Sequence, residues 1–263
     1  MGSRVRAGVL TGLLLLATGR APHFARAAHE WRSAWGSPYS LALLEEQAAR
    51  PEERPRCTIA LAFPFGLPGT SFRRAVLHMP GGWEAHAGML GASGYSEWHV
   101  GCGWRFRPSR AFEALLGARL FAVRVGEGEL VQEAAGTLIA RLFPPGMALA
   151  TFEAGLVDLP VASREPLAVP LLICRARVDG GRVGLILERA ISPRASGETS
   201  LALLLRSGPL RFGCAVRCAT GEGGFSFACR AGAAEVALAD RWHPHLGWSP
   251  EVSLSWRREG ADR

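Results

Sequence analysis

The sequence lacks lysine and asparagine altogether, and beyond its N-terminus it lacks a long apolar run. All 30 basic residues of the 263-residue chain are therefore arginines, and they are spread along the chain instead of clustering on one helix. The formal net charge of +7 thus does not indicate a nucleic-acid partner, which a basic patch on one face would recognise. After residue 27 no run of about 18 uncharged apolar residues occurs, which excludes a spanning helix there.

Enzyme and cofactor motifs are also absent. The chain has no G-x-S-x-G, no H-E-x-x-H, no P-loop and no dinucleotide-binding fingerprint. The glycine-rich stretch at 221–224 precedes no helix, so it predicts a hairpin turn and not a phosphate cradle. His243 and His245 flank Pro244, which a turn explains more simply than a shared ligand. We therefore predict a protein that is not an enzyme and that holds no cofactor and no metal.

The N-terminus has the three parts of a secretory signal peptide. Arg4 and Arg6 give a positive start, and residues 7–18 form an apolar stretch too short to span a membrane. The sequence at 25–27 is an A-x-A cleavage site, so the mature chain is predicted to begin near Ala28. An uncleaved N-terminal anchor is the alternative.

From about residue 57 to the C-terminus, apolar and polar residues alternate in short segments. In the segment 100–107, Val, Cys, Trp and Phe share one face while Gly and Arg occupy the other. A strand turns its side chains to opposite faces at every residue, so each segment has one apolar and one polar side. Many such strands behind an export signal are typical of a transmembrane β-barrel.

We predict an all-β, antiparallel, up-and-down barrel of about fourteen strands, an even number as in bacterial outer-membrane barrels. The candidate strands begin near residues 57, 71, 83, 96, 112, 130, 147, 165, 181, 198, 209, 223, 234 and 249. Alternation is weakest between 112 and 143. The predicted organisation is a signal peptide at 1–27, a short helical or irregular plug or skirt segment at 28–56, the barrel at 57–256 and a charged tail at 257–263.

The six cysteines all share the parity of the apolar faces. Side chains that face lipid on separate strands cannot meet the geometry of a disulfide, and no C-x-x-C pair suggests a metal site. We therefore predict free thiols that act as small apolar groups. Aromatic residues near the strand ends fit the two interface girdles of such barrels, namely Trp83, Trp98, Trp104, Trp242, Trp248 and Trp256.

The opposite parity carries the polar side chains, which a barrel would direct into its lumen. The candidate lumen-facing binding residues are His99, Arg105, Arg107, Arg175, Arg177, Arg211 and Arg217. Two interpretations remain open at this point. These groups form either a mutually paired, solvated interior or an anion-attracting pore or binding cavity.

Three stretches resemble PorV/PorQ-like outer-membrane proteins, which are related to the FadL long-chain fatty-acid transporters. The stretch at 242–256 is similar to their last hairpin, although Pro250 or Glu251 stands where a His is usual. The turn at 107–112 is similar to their R-x-S-x-x-[FL] turn, and 37–42 occupies the place of an Asn-Pro-Ala motif. The resemblance implies that the final strand, with Val252, Leu254 and Trp256 on one face, is recognised by the outer-membrane insertion machinery.

The first functional hypothesis is a FadL-like passage or binding cavity for small hydrophobic or amphipathic compounds. The second is a PorV/PorQ-like scaffold or shuttle that does not conduct, in an outer-membrane export or surface assembly. The third is a secreted, soluble β-sandwich that binds a surface ligand. The expected location is the bacterial outer membrane. The expected partners are its lipid, the insertion machinery and, under the second hypothesis, other assembly subunits, but no nucleic acid.

Overall fold

The computed structural model describes residues 55–257, apart from 65–68, 129, 148, 162–169, 193–194 and 246. The predicted signal peptide, the plug segment through residue 54 and the tail from residue 258 lie outside the described residues. Within them no helix is both long and apolar enough to cross a membrane.

The described chain forms fourteen antiparallel strands that close into one barrel. The strands are β1 Arg56–Ala62, β2 Ser71–His78, β3 Trp83–Ala92, β4 Tyr95–Ser109, β5 Phe112–Val125, β6 Val131–Leu142, β7 Ala150–Pro160, β8 Leu171–Asp179, β9 Val183–Ser192, β10 Ala195–Ser207, β11 Leu210–Arg217, β12 Gly223–Ala231, β13 Ala234–His243 and β14 Gly247–Arg257. Each strand pairs with its neighbours in sequence. The predicted fold class and strand number are therefore confirmed.

The barrel closes because the first strand pairs with the last. The β1–β14 register runs from Arg56 opposite Arg257 to Ala62 opposite Glu251. Both strands extend one residue beyond the predicted barrel limits of 57 and 256. Closure leaves no open sheet edge, as a barrel in lipid requires. A closed single-sheet barrel also does not favour the soluble sandwich hypothesis.

The two faces of the sheet differ sharply in chemistry. Large apolar side chains point outward and stay exposed, such as Ile59 at 57%, Leu138 at 48% and Leu254 at 51%. Charged side chains point inward and are buried. This pattern is inverted with respect to a soluble protein, and it fits a barrel whose outer surface contacts lipid.

The connections between strands range from two to ten residues. We call the end where β1 begins and β14 ends the terminal end, and the opposite end the distal end. Three connections at the terminal end are two-residue turns, as at 208–209, where Gly208 adopts a φ of 57°, while the connection at 143–149 is longer. The longest connection, 161–170, lies at the distal end between β7 and β8.

A bulge in β7 interrupts the regular pairing with β6. Gly136 pairs with Leu159 and Leu138 with Leu156, so Val157 and Asp158 together oppose one residue of β6. Both bulged side chains are fully buried. Asp158 has a φ of 56°, the only positive φ among described residues other than glycine. Such a bulge re-aims a side chain, and here it directs Asp158 into the barrel.

The predicted strand starts differ from the structure on both sides of this bulge. The strand expected near residue 165 begins at Leu171, and the one expected near 147 begins at Ala150. Pro166 and Pro170 flank apolar residues that mimic a strand, but a proline cannot donate to a ladder hydrogen bond.

Candidate functional site: the inner wall of the barrel

The inner wall is charged, buried and balanced. Among the described residues, nine arginines and nine carboxylates are buried. Seven of these arginines lie within 4.0 Å of a carboxylate, namely Arg56, Arg105, Arg119, Arg141, Arg175, Arg211 and Arg217. Of the two interpretations left open by the sequence, these contacts favour the mutually paired interior over an anion-attracting surface.

The most extended feature is a row of alternating acids and arginines, one from each of seven consecutive strands, β3 to β9. We call this row the ion girdle. Its members are Glu84, Arg105, Glu113, Arg141, Glu153, Arg175 and Glu188.

The central contacts of the ion girdle are short. Arg141 donates from Nη1 to Glu113 Oε1 at 2.8 Å and from Nη2 to Glu153 Oε2 at 2.7 Å. Arg175 Nη1 donates to Glu153 Oε1 at 2.9 Å, and its Nε donates to Glu188 Oε2, also at 2.9 Å. Each interior member is therefore held from both sides, as charge-assisted hydrogen bonds allow.

At its first strands the ion girdle is looser. Arg105 lies 3.5 Å from Glu84 and 3.8 Å from Glu113. The side chains along the girdle are only 3–10% exposed. A cavity of about 10 Å³ lies between Arg105, Glu113, Arg141 and Glu153. That volume accommodates about one water molecule among groups able to bind it.

The strand register creates the ion girdle. Glu113 lies directly opposite Arg141, Arg141 opposite Glu153, and Glu153 opposite Arg175. Opposed residues on one face of an antiparallel pair are close enough to interact. Glu84 is the second residue of β3, at the terminal end, whereas Glu188 is the sixth of ten in β9. The girdle therefore climbs from the terminal end towards mid-barrel.

An apolar row runs beside the ion girdle. It consists of Leu115, Ile139, Val157 and Ile173, which form one buried cluster. Leu115 lies opposite Ile139, two residues from the girdle members on the same strands. A Cβ at Gly155 would lie 2.5 Å from Cγ1 of Ile139, so only glycine fits at that point of the row.

A second apolar patch covers the wall across β9 to β13. It is formed by Ile186, Ala202, Leu204, Ala215, Ala228 and Ala237. Most of its members are alanines, so the wall is flat there. The inner wall thus alternates ionic and apolar zones instead of being uniformly polar.

Two smaller ionic clusters lie towards the ends of the barrel. At the terminal end, Glu235 contacts Arg211, Arg230 and Arg56. At the distal end, Arg217 lies 3.5 Å from Glu198 and 3.1 Å from Glu222, and Glu222 lies 3.4 Å from His243.

Two inward histidines lie against facing glycines. A Cβ on Gly101 would be 2.4 Å from Nε2 of His86, and a Cβ on Gly88 would be 2.2 Å from Cε1 of His99. The register places each histidine directly opposite its glycine. The imidazoles therefore pack against the wall, with their ring centroids 5.9 Å apart.

Arg119 joins these histidines to the β7 bulge. Its Nη1 lies 3.2 Å from Asp158 Oδ1, and its Nε donates to His86 Nε2 at 3.2 Å. Because Nε2 accepts this bond, it carries the lone pair, and Nδ1 carries the proton in the neutral ring. The left-handed backbone at Asp158 thus supplies a buried carboxylate that the regular ladder would have turned elsewhere.

The structure separates the seven predicted lumen residues into groups. Arg105 and Arg175 belong to the ion girdle, Arg211 and Arg217 to the end clusters, and His99 to the histidine pair. Arg177 donates to Asp179 at 2.7 Å, near the terminal end.

Arg107 is the exception among them. Its guanidinium bonds the carbonyl oxygens of Ser109 and Arg110 and lies 4.5 Å from the Phe143 ring centroid, so it braces a turn. For all seven residues, a role in binding stays a prediction.

Sequence reasoning missed Glu113, Arg141 and Glu153, although they form the centre of the ion girdle. Glu153 follows Phe152 in a short segment, and nothing local pairs it with residues twelve and twenty-two positions away. One feature of the sequence could have indicated these residues. Each of three consecutive strands has a charged residue at an inward position near one of its ends.

The outer face carries the cysteines, the apolar residues of the final strand and several tryptophans, and a role of the final strand in insertion stays a prediction. All six cysteines are free, and five of them are exposed on the outside or in a turn. Val252, Leu254 and Trp256 point outward at 39%, 51% and 55% exposure. Trp83 stacks on Trp104 near the terminal end, and Trp242 pairs with Trp248 near the distal end.

No part of the described chain brings together three or more metal-ligating side chains. The expectation that the protein holds no metal and no cofactor stays a prediction.

No protein-family model and no curated protein matches the chain. Among solved structures, the outer membrane protein Omp33 of Acinetobacter baumannii aligns with a TM-score of 0.53 at 8% identity, over 79% of this chain and 99% of that one. The KdgM porin and a mutant of the Rh. blastica porin give TM-scores of 0.45 and 0.43 at 8% and 9% identity, each over 78% of this chain and 99% of theirs.

This chain therefore has the fold of an outer-membrane β-barrel. At such identities the likeness concerns the fold alone. A closer relationship to PorV/PorQ or FadL proteins stays a hypothesis.

Proposed function

We propose that this chain is an outer-membrane barrel that provides a passage or binding cavity for small amphipathic compounds. The observation that carries the proposal is the pairing of two inner-wall rows. The ion girdle runs directly beside the apolar row of Leu115, Ile139, Val157 and Ile173. A solute with a charged and an apolar part would contact both rows at once, whereas a fully apolar one would face buried charges.

The proposal includes the location and the partners. The exposed apolar outer face supports a place in the bacterial outer membrane, in contact with lipid. The outward final strand supports recognition by the insertion machinery, and cleavage near Ala28 belongs to the same export route. No catalytic role is proposed.

Uptake into proteoliposomes tests the passage. Leucine and glutamine are both zwitterions of similar size, but only leucine has an apolar side chain. Swelling of liposomes that contain the full chain should be faster in isosmotic leucine than in glutamine. In Leu115→Ser this preference should fall towards equal rates, whereas Leu116→Ser, on the outward face at 46% exposure, should keep it.

Two results would contradict the proposal. Equal rates for both solutes in the unmodified protein would indicate a simple polar pore. Absence of swelling would favour the second candidate, a non-conducting scaffold or shuttle in an export or surface assembly. The burial and mutual pairing of the ion girdle is the observation that supports this second candidate.

A further inference from the structure

Arg74 differs from the other buried arginines of the inner wall because it has no ion-pair partner among the described residues. It is only 6% exposed, yet no carboxylate lies within ion-pair distance of it and no hydrogen bond holds it in the part of the chain that the structure describes. Seven of the other eight buried arginines have a carboxylate partner at 4.0 Å or less, and Arg241 also has a polar or electrostatic partner. A buried charge without a partner is strongly unfavourable, so its presence needs a reason.

The strand register places no carboxylate directly opposite Arg74. In β2, Arg74 lies opposite Ala60 of β1 and Gly88 of β3, neither of which carries a polar side chain. By contrast, Arg141 of the ion girdle has a glutamate directly opposite on both sides. Arg74 is therefore an inward guanidinium to which the described strands offer no anion.

The residues beside Arg74 are apolar or aromatic, and they include His86, which is close enough to interact electrostatically with the guanidinium. Phe72 and Val76, its neighbours on the same inward face, are buried at 5% and 6% exposure. The ring of His99 fills the space above Gly88 and stacks with Phe72 at a centroid distance of 6.1 Å. Phe121 continues this line at 6.4 Å from His99. Arg74 thus stands beside a band of flat, stackable rings. The other cation at this band, Arg119, lies 5.3 Å from the ring centroid of Phe121 and is paired with Asp158.

We propose that Arg74 is the binding site for the carboxylate of an aromatic monoanion on the inner wall. The planar guanidinium offers parallel donors that match a carboxylate, while the rings of Phe72 and His99 would contact the apolar body of the ligand. This proposal rests on the proposed function, because it names the charge and shape of the amphipathic solute.

Equilibrium binding tests the site separately from passage. Isothermal titration of the full-length protein in detergent micelles with sodium benzoate should show binding, and neutral benzyl alcohol should bind at least about tenfold more weakly, a difference of about 1.4 kcal/mol. Arg74→Gln should weaken benzoate binding at least as much, and Arg74→Lys less. Arg73→Gln removes the same charge from the outward face of the same strand and should leave binding unchanged.

Benzoate that bound the unmodified protein and Arg74→Gln equally, or bound neither, would overturn the site. Bilayer currents measured on the same preparations keep the two proposals apart. Current without benzoate binding would refute the Arg74 site alone, and benzoate binding at Arg74 without current would refute the passage alone.

Stability provides a second readout. Because Arg74 has no partner to lose among the described residues, Arg74→Gln should resist guanidinium at least as well as the unmodified protein, and benzoate should stabilise only the latter. A clear drop in the unfolding midpoint of Arg74→Gln would show that the charge is paired, and would also overturn the proposal.

Discussion

At the scale of single residues, the inner wall is organised by pairing. Each central member of the ion girdle contacts opposite charges on both sides. Removal of one member therefore leaves each of its two neighbours without one of its ion-pair partners. The free energy of such contacts depends on burial, since an exposed pair contributes little and a broken buried pair costs much.

Glu153→Gln tests this at the centre of the ion girdle. The substitution leaves the guanidinium groups of Arg141 and Arg175 short of one negative charge in a buried place. We expect the free energy of unfolding to fall by about 3–5 kcal/mol, the usual effect of breaking a buried pair. Glu127→Gln, on an exposed turn, is the matched control and should change it by less than about 0.5 kcal/mol. Equal effects in denaturant unfolding from lipid would contradict the paired interior.

The cysteines give a second prediction at this scale. Cys102, Cys174, Cys214 and Cys229 are exposed on the outer face. In intact outer membranes a lipid-soluble maleimide should modify them, and a charged, water-soluble one should not. Mass spectrometry that found any of them in a disulfide would contradict the inside–outside assignment.

At the scale of strands, alternation predicted how many there are and which face is apolar, because a strand has a period of two. Alternation fades in β5 and β6, where Leu115, Phe121 and Ile139 point inward although they are apolar. The ion girdle could not be predicted, because it depends on which residues of neighbouring strands lie opposite each other. A period-two pattern does not determine which residues of neighbouring strands lie opposite each other. The bulge at Asp158 also shifts the pairing between β6 and β7.

The cost of placing a charge on the outer face should depend on its depth in the membrane. Leu201, in the middle of β10, and Leu210, at the terminal end of β11, are 40% and 42% exposed. Leu201→Arg should destabilise the barrel in lipid by about 2–4 kcal/mol, whereas Leu210→Arg near the interface should cost about 0–1 kcal/mol. Equal costs in unfolding from lipid vesicles would mean that the exposed apolar band does not span a bilayer.

The final strand predicts the limits of tolerated truncation. Leu254 pairs with Ile59 on one side and Val236 on the other, and the Arg257 amide still donates to Ala233. Removal of residues 258–263 should leave outer-membrane levels nearly unchanged, while Trp256→Asp should abolish them and Trp256→Phe should not. Normal levels of the Trp256→Asp protein in membrane fractions would argue against the final strand as the insertion signal.

At the scale of the whole molecule, the fold places chemistry where a membrane barrel needs it. Apolar side chains face out, arginines and carboxylates balance each other inside, and tryptophans lie near both ends. Balanced pairing gives the wall little net charge to attract simple ions. The apolar rows then become the part of the wall that can select among solutes.

The most direct test of the passage is access to its inner wall under current. Thr137 points inward beside the apolar row and is 8% exposed. In planar bilayers, Thr137→Cys should carry a current that a charged, water-soluble thiol reagent reduces. The unmodified protein should carry a current that the reagent leaves unchanged, because its own cysteines lie outside the lumen. A current in the variant that the reagent did not alter, or no current in either protein, would contradict a solute passage through the barrel.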